Sequence, residues 1–193
     1  LPALLARDGA DAVAARLDAI VRATSLHDRC PELARPDAFA YRAALDLLPR
    51  FGAGRRRVAT LLVRVALSSR VRGDLLRRLV DVDRGAARRH GAALVAGDPA
   101  ATRALTRAIA RAPVADDRRF LAVAAATADD ATRYHAVDGL ARLGDRDATW
   151  RGWLGELAAT TGGAARIRVL AAAAHAGDRD AAEIGRASCR ERV

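Results

Sequence analysis

The chain has 193 residues, enough for one domain with a sizeable buried core, and nothing in its length requires a second. Half of it is apolar, but that share is mostly alanine with few aromatics, and no apolar run approaches the roughly 20 residues that a membrane helix needs. The net charge of +10 comes from one block, Arg50 to His90, where twelve Arg face three Asp; elsewhere acids and bases nearly cancel.

Strand formers never alternate with polar residues over a useful length, and apolar positions recur at three and four, so helix is expected throughout. The first helix is predicted over Gly9 to Thr24, with Val13, Leu17, Ile20 and Val21 as its stripe. Pro31 and Pro36 then make Ser25 to Pro36 a loop. Asp37 caps a helix carrying Phe39, Leu45, Leu47 and Leu48, which stops near Pro49 to Gly54. A third helix, about Arg55 to Ser69, buries Val58, Leu61, Leu62 and Val65 and turns Arg56, Arg57 and Arg64 away. A fourth, about Val71 to Val82, packs Leu75, Leu76, Leu79 and Val80 and projects Arg77 and Arg78. The fifth, about Asp83 to Ala96, has Ala87, His90, Gly91 and Leu94 on one side and Arg88 and Arg89 on others.

Asp98-Pro99 opens the next helix, since the acid caps it and proline in the first turn forfeits no needed donor; Leu105 and Ile109 are its buried face. Asp116 or Asp117 opens the helix of Phe120, Leu121 and Val123. Asp129 or Asp130 opens another, and Asp145 or Asp147 the helix of Trp150, Trp153, Leu154 and Leu157, which ends at Gly162-Gly163.

Within this second half one pattern recurs. Asp130-Ala131-Thr132-Arg133 opens an Ala-rich segment closing on Leu143-Gly144-Asp145, and Ala165-Arg166-Ile167-Arg168 opens another closing on Ala176-Gly177-Asp178. The two Gly-Asp steps lie 33 residues apart, a period typical of stacked helical hairpins. The run through Asp129, Arg133, Ala136, Leu140, Leu143, Gly144, Asp145 and Ala148 resembles the short HEAT-like repeat of the phycobilisome-lyase type. A weaker copy ends at Ala96-Gly97-Asp98, and none precedes Arg84. The interval from Asp98 to Asp145 is 47 residues, 14 more than the later one, and the surplus is the segment Asp116 to Thr127.

The resemblance implies an all-α fold, an α-solenoid of stacked antiparallel helical hairpins (a HEAT/armadillo-like superhelix). It places the Arg-bearing helices, Asp130 to Leu143 and Ala164 to Ala176, second in each pair and on the concave side. Arg133, Arg166 and Arg168 are then the candidate partner-binding residues. Some HEAT-like proteins attach bilin chromophores to cysteines of phycobiliproteins; nothing beyond the repeat points there. The implied organisation is irregular or divergent helices over 1–82, HEAT-like repeats over 83–183, and a tail from Ile184. That tail reads as a translated sequencing adapter and is set aside. With Leu1 at its start and no Met, the chain reads as a fragment of a longer protein. Lys, Asn and Gln are also absent, as in high-GC bacterial genomes.

Residues that could carry chemistry have plainer roles available. Arg55, Arg56, Arg57, Arg64, Arg77, Arg78, Arg88 and Arg89 could form an anion or nucleic-acid patch, but GC pressure alone enriches Arg and no aromatics are interleaved. His27-Asp28-Arg29-Cys30 contains a metal-like pair that nothing nearby completes to the four ligands of a zinc site. His90 and His135 sit on helices as packed residues. The pairs Asp116-Asp117, Asp129-Asp130 and Asp145 with Asp147 fall at helix starts, where capping explains them better than acid–base work. Trp150 and Trp153, three apart with Leu154 and Leu157 on the same side, read as core or as a seam between repeats, with a binding anchor on a concave surface as the alternative. No catalytic residue, cofactor site or metal site emerges. The expected function is a non-enzymatic, cytoplasmic protein-interaction scaffold with a protein partner. The alternative is a nucleic-acid-binding solenoid that uses the Arg block, in the manner of the helical-repeat alkylpurine DNA glycosylases.

Overall fold

A computed structural model describes residues 1–34, 36–95, 97–160, 162–178 and 181–183. The tail set aside above and the Arg179-Asp180 step lie outside them. Among the described residues the chain is helical and has no strand: α1 (Pro2–Asp8), α2 (Ala10–Arg29), α3 (Ala38–Leu47), α4 (Gly52–Arg64), α5 (Ser69–Val80), α6 (Arg84–Ala92), α7 (Pro99–Arg111), α8 (Arg118–Thr127), α9 (Asp130–Arg142), α10 (Ala148–Thr160) and α11 (Gly163–His175). Short 3-10 turns fall at Leu48–Arg50 and Ala115–Asp117. No helix is long and apolar enough to cross a membrane.

Side-chain carboxylates start many of these helices, because the first turn leaves amide hydrogens without backbone partners. Asp37 accepts from the Ala40 amide at 2.8 Å, Asp83 from Ala86 at 2.9 Å and Asp98 from Ala101 at 3.1 Å. Asp129 takes both Ala131 and Thr132 amides, at 3.1 and 3.2 Å.

Packing divides the chain into two compact units, Leu1–Leu105 and a second from Thr106 onward. In the first, α2 packs against α1, α3, α4 and α5, and α5 also packs on α3 and α6. Val21, Leu48, Val58, Leu61, Leu75 and Leu76 are fully enclosed there. Several boundaries differ from the expected ones; α4 starts at Gly52 and α6 ends at Ala92. Segment α1 was not anticipated. Helix α2 continues through Ser25 to Arg29, because tertiary partners hold its last turn: the Ser25 hydroxyl accepts from the Ser68 amide at 2.7 Å, and Asp28 accepts from the Ser68 hydroxyl at 2.7 Å. The expected third helix stops at Arg64, and Ser68 instead caps α5 through the Val71 amide at 3.3 Å.

Asp28 also receives the Arg70 guanidinium, at 2.6 Å from NH2 and 3.0 Å from Nε. Burial alone would raise the Asp28 carboxyl, but Arg70 and Ser68 outweigh it and hold the group below the usual carboxylate range. A pKa lower in the folded than in the unfolded chain stabilises above the unfolded value, near 4, and that stabilisation is lost as pH falls through the folded value. Asp28→Asn is therefore expected to be less stable than the parent at about pH 7, with the gap shrinking toward about pH 3. Urea denaturation at the two pH values checks this; a gap independent of pH contradicts it.

In the second unit α8 packs on α9, α10 on α11, and α9 on α11. The core is small-residue rich, with Ala124, Ala125, Ala136, Ala172 and Ala173 enclosed beside Leu121, Leu140 and Leu154. At Gly139 the approach is close: a β-carbon there would lie 2.9 Å from Leu121 Cδ1 and 3.1 Å from the β-carbon of Ala110.

The two Gly-Asp steps fold alike. Gly144 and Gly177 have φ of 79° and 92°, the left-handed region that favours glycine. Asp145 donates its amide to Leu140 and Asp178 to Ala173, each at 3.0 Å, while Gly144 and Gly177 donate to Ala141 and Ala174 at 2.9 and 3.0 Å. Both are Schellman caps. The weaker copy at Gly97-Asp98 differs, since Gly97 is not in the left-handed region and both amides converge on the Leu94 carbonyl.

Candidate functional site

Helix α9 sets Asp130, Tyr134, Asp138 and Arg142 at intervals of four, which stacks them along one side of the helix. Together with Arg107 and Arg111 of α7, Leu157 of α10, and Arg168 and Val169 of α11, they line a groove of about 660 Å³. It opens to solvent, since Arg107, Arg111, Asp130, Arg142, Arg168 and Ala171 are all exposed.

The wall between α9 and α11 is pinned by polar contacts. The Tyr134 hydroxyl donates to the Arg168 carbonyl at 2.9 Å. Burial, then the nearby Asp138, raises its pKa, so the hydroxyl keeps the proton it donates. Asp138 accepts from Arg142 Nε at 3.1 Å and meets His175 Nδ1 at 3.4 Å. The His135 ring lies 5.3 Å from that of Tyr134, tilted by 59°.

Charge is unevenly matched along the groove. Asp138 faces Arg142 and His175, and Asp130 accepts from Arg133 at 3.1 Å. Among the described residues Arg107 and Arg111 have no ion-pair partner, so two guanidiniums one helical turn apart stand available to an anion.

Comparison with known proteins gives no match. No family model, curated protein or solved structure matches the chain.

Of the three Arg expected to bind a partner, Arg168 lines the groove and Arg133 and Arg166 do not. Arg133 joins three helices: its Nε donates to the Ala125 carbonyl at 3.0 Å, and its guanidinium sits 5.6 Å from the Trp153 ring centroid. Arg166 is exposed. Arg107 and Arg111 escaped the sequence reading, although their spacing of four, away from the Leu105 and Ile109 stripe, was a usable signal.

Part of the Arg block is directed at carboxylates, mostly on other helices. Arg56 and Arg57 lie 3.7 Å from Asp11 and Asp18 of α2, Arg78 lies 2.9 Å from Asp46 of α3, and Arg77 lies 2.9 Å from Asp74 of its own helix. Arg88 is half-buried with an interaction of its own, and Arg55, Arg64 and Arg89 are exposed. Two further members are Arg70, on Asp28, and Arg72, which meets the buried Asp98 at 2.6 Å.

Several of the other polar residues have structural partners. His27 ends α2 with Nδ1 at 2.8 Å from the Leu33 carbonyl, and Cys30 is a free thiol. No group of three metal-ligating side chains exists among the described residues. Asp117 accepts from the Val114 amide at 2.8 Å and Asp147 from Thr149 at 2.7 Å. His90 is half-buried, with its pKa lowered by burial and by Arg89. Trp150 and Trp153 are half-buried, not fully enclosed.

Proposed function

We propose that this chain is a non-enzymatic protein-interaction scaffold whose second unit is a short stack of HEAT-like hairpins, part of a right-handed solenoid. The hairpins α8/α9 and α10/α11, the contact of α9 with α11, and matching Gly-Asp corners 33 residues apart support the repeat reading. In such a stack the second helices, α9 and α11, make the binding face, and a protein segment is the ligand. The observation that carries this reading is the open groove lined by those two helices and by α7, with its mixture of apolar wall and, on α7, two guanidiniums that have no ion-pair partner among the described residues.

The nucleic-acid reading has less support. Phosphate binding needs guanidiniums converging on one surface, whereas Arg56, Arg57, Arg77 and Arg78 are turned toward carboxylates of α2, α3 and α5.

An array of short peptides of varied charge and hydropathy tests the scaffold reading. Binding is expected to survive about 200 mM salt and to fall about tenfold or more in Ala171→Trp, which fills the groove from an exposed position. Retention on DNA that drops steeply with salt, is weakened by Arg55→Glu with Arg64→Glu and ignores Ala171→Trp would overturn it.

A further inference from the structure

We infer that the groove between α7, α9 and α11 takes a short acidic segment of a partner protein, in extended form, with two carboxylates spaced two residues apart. The inference rests on the scaffold reading and adds the chemistry of the ligand.

Charge complementarity carries it. Arg107 and Arg111 both face the groove, are exposed and have no ion-pair partner among the described residues. Lying four apart on one helix, their β-carbons are about 5–6 Å from each other. Side chains at positions i and i+2 of an extended chain share one face about 6.5–7 Å apart, so an acid-x-acid pattern meets both guanidiniums with little adjustment. Among the described residues, the two carboxylates that line the groove are turned to other partners, Asp130 to Arg133 and Asp138 to Arg142 and His175.

Length gives a second constraint. From Asp130 to Arg142 the α9 wall rises about 18 Å, which spans about five residues of extended chain. Between the ends the wall is formed by Ala131, Tyr134, Leu157 and Val169, so the residue between the two acids is best apolar.

A peptide fits this lining better than a nucleic acid does. Asp130 and Asp138, although each has a cationic partner, keep further acceptor lone pairs along the groove, and a phosphodiester backbone has no donors to meet them. A peptide backbone has amide hydrogens for those carboxylates and side-chain acids for the guanidiniums.

Fluorescence anisotropy on the full chain tests the inference with three labelled pentapeptides, Glu-Leu-Glu-Leu-Glu, Gln-Leu-Gln-Leu-Gln and Lys-Leu-Lys-Leu-Lys, and with a short single-stranded DNA. The acidic peptide is expected to bind at least about tenfold more tightly than the lysine peptide. Arg107→Glu with Arg111→Glu should reverse that order, and the milder Arg107→Gln with Arg111→Gln should abolish it. Both pairs sit on exposed positions without partners, so thermal melting should match the parent. Acidic-peptide binding that ignores these substitutions, or a tighter fit of the lysine peptide, overturns the acidic class. If the Gln or Lys peptide then still loses affinity in Ala171→Trp, the scaffold reading survives that failure. If no peptide binds, both fall. DNA binding equal to that of the acidic peptide also overturns the inference.

Discussion

Asp98→Ala is expected to destabilise the first unit by about 3–5 kcal/mol, the range for removing one partner of a buried ion pair. Both carboxylate oxygens of Asp98 are engaged: one accepts from the Ala101 amide at 3.1 Å, the other from Arg72 NH1 at 2.6 Å. The Asp98 side chain is 4% exposed and that of Arg72 18%, so water cannot take over when the carboxylate goes. Arg72 Nε is buried and already lacks a hydrogen-bond partner, which leaves that guanidinium with no alternative. The cap on α7 disappears too, at about 1 kcal/mol. Against a typical stability of about 5–15 kcal/mol, this is enough to leave the unit marginal. Asp98→Asn keeps an acceptor for Ala101 and should lose less. Asp98→Ala combined with Arg72→Met should recover most of the loss, because the unpaired charge, more than the missing attraction, dominates the single variant. Urea denaturation of the parent, Asp98→Ala, Arg72→Met and the double variant checks the cycle, with Asp98→Asn measured beside them, and a loss below about 1 kcal/mol for Asp98→Ala would contradict it.

Gly54→Ala reverses a familiar sign. Alanine inside a solvated helix is favoured over glycine by about 1 kcal/mol. In α4, however, a β-carbon on Gly54 would collide with the carbonyl oxygen of Leu48 and lie 2.9 Å from its carbon, with the Phe51 ring 3.0 Å away. That obstacle is backbone, in a 3-10 turn whose Leu48 is fully enclosed, and it cannot rotate aside. The expected result is a loss of about 3 kcal/mol, the upper end of overpacking costs. Gly155→Ala in α10, where a β-carbon meets nothing within 4 Å, should instead gain up to about 1 kcal/mol. The two melting temperatures should move in opposite directions; a shift of the same sign would contradict the packing described at Gly54.

Helix starts were legible wherever an acid stood before an Ala-rich run, since a carboxylate cap is a local device: Asp37, Asp83, Asp98 and Asp129 all accept first-turn amides. What stayed hidden depends on partners far along the chain. The last turn of α2 is held by Ser68 and Arg70, some 40 residues away, and no local pattern in Ser25 to Arg29 announces them. The Arg block looked like surplus for the same reason. Counted along the chain it is unbalanced, but Asp11, Asp18, Asp28 and Asp46 belong to the earlier segment and meet Arg56, Arg57, Arg70 and Arg78 only after folding. Half of the groove was readable as well: the repeat pointed to the Arg-bearing helices, yet it was Arg168 that reached the groove, while Arg133 was taken up by Trp153 and the Ala125 carbonyl.

Because the chain leaves α9 and α11 through the same left-handed glycine and the same pair of amide donations, each exit offers an identical stub to whatever comes next. Under the repeat reading proposed above, a gene segment encoding one 33-residue period could be copied in tandem and spliced in at either exit without inventing a new junction. Proteins that grow in this way gain reach in fixed increments.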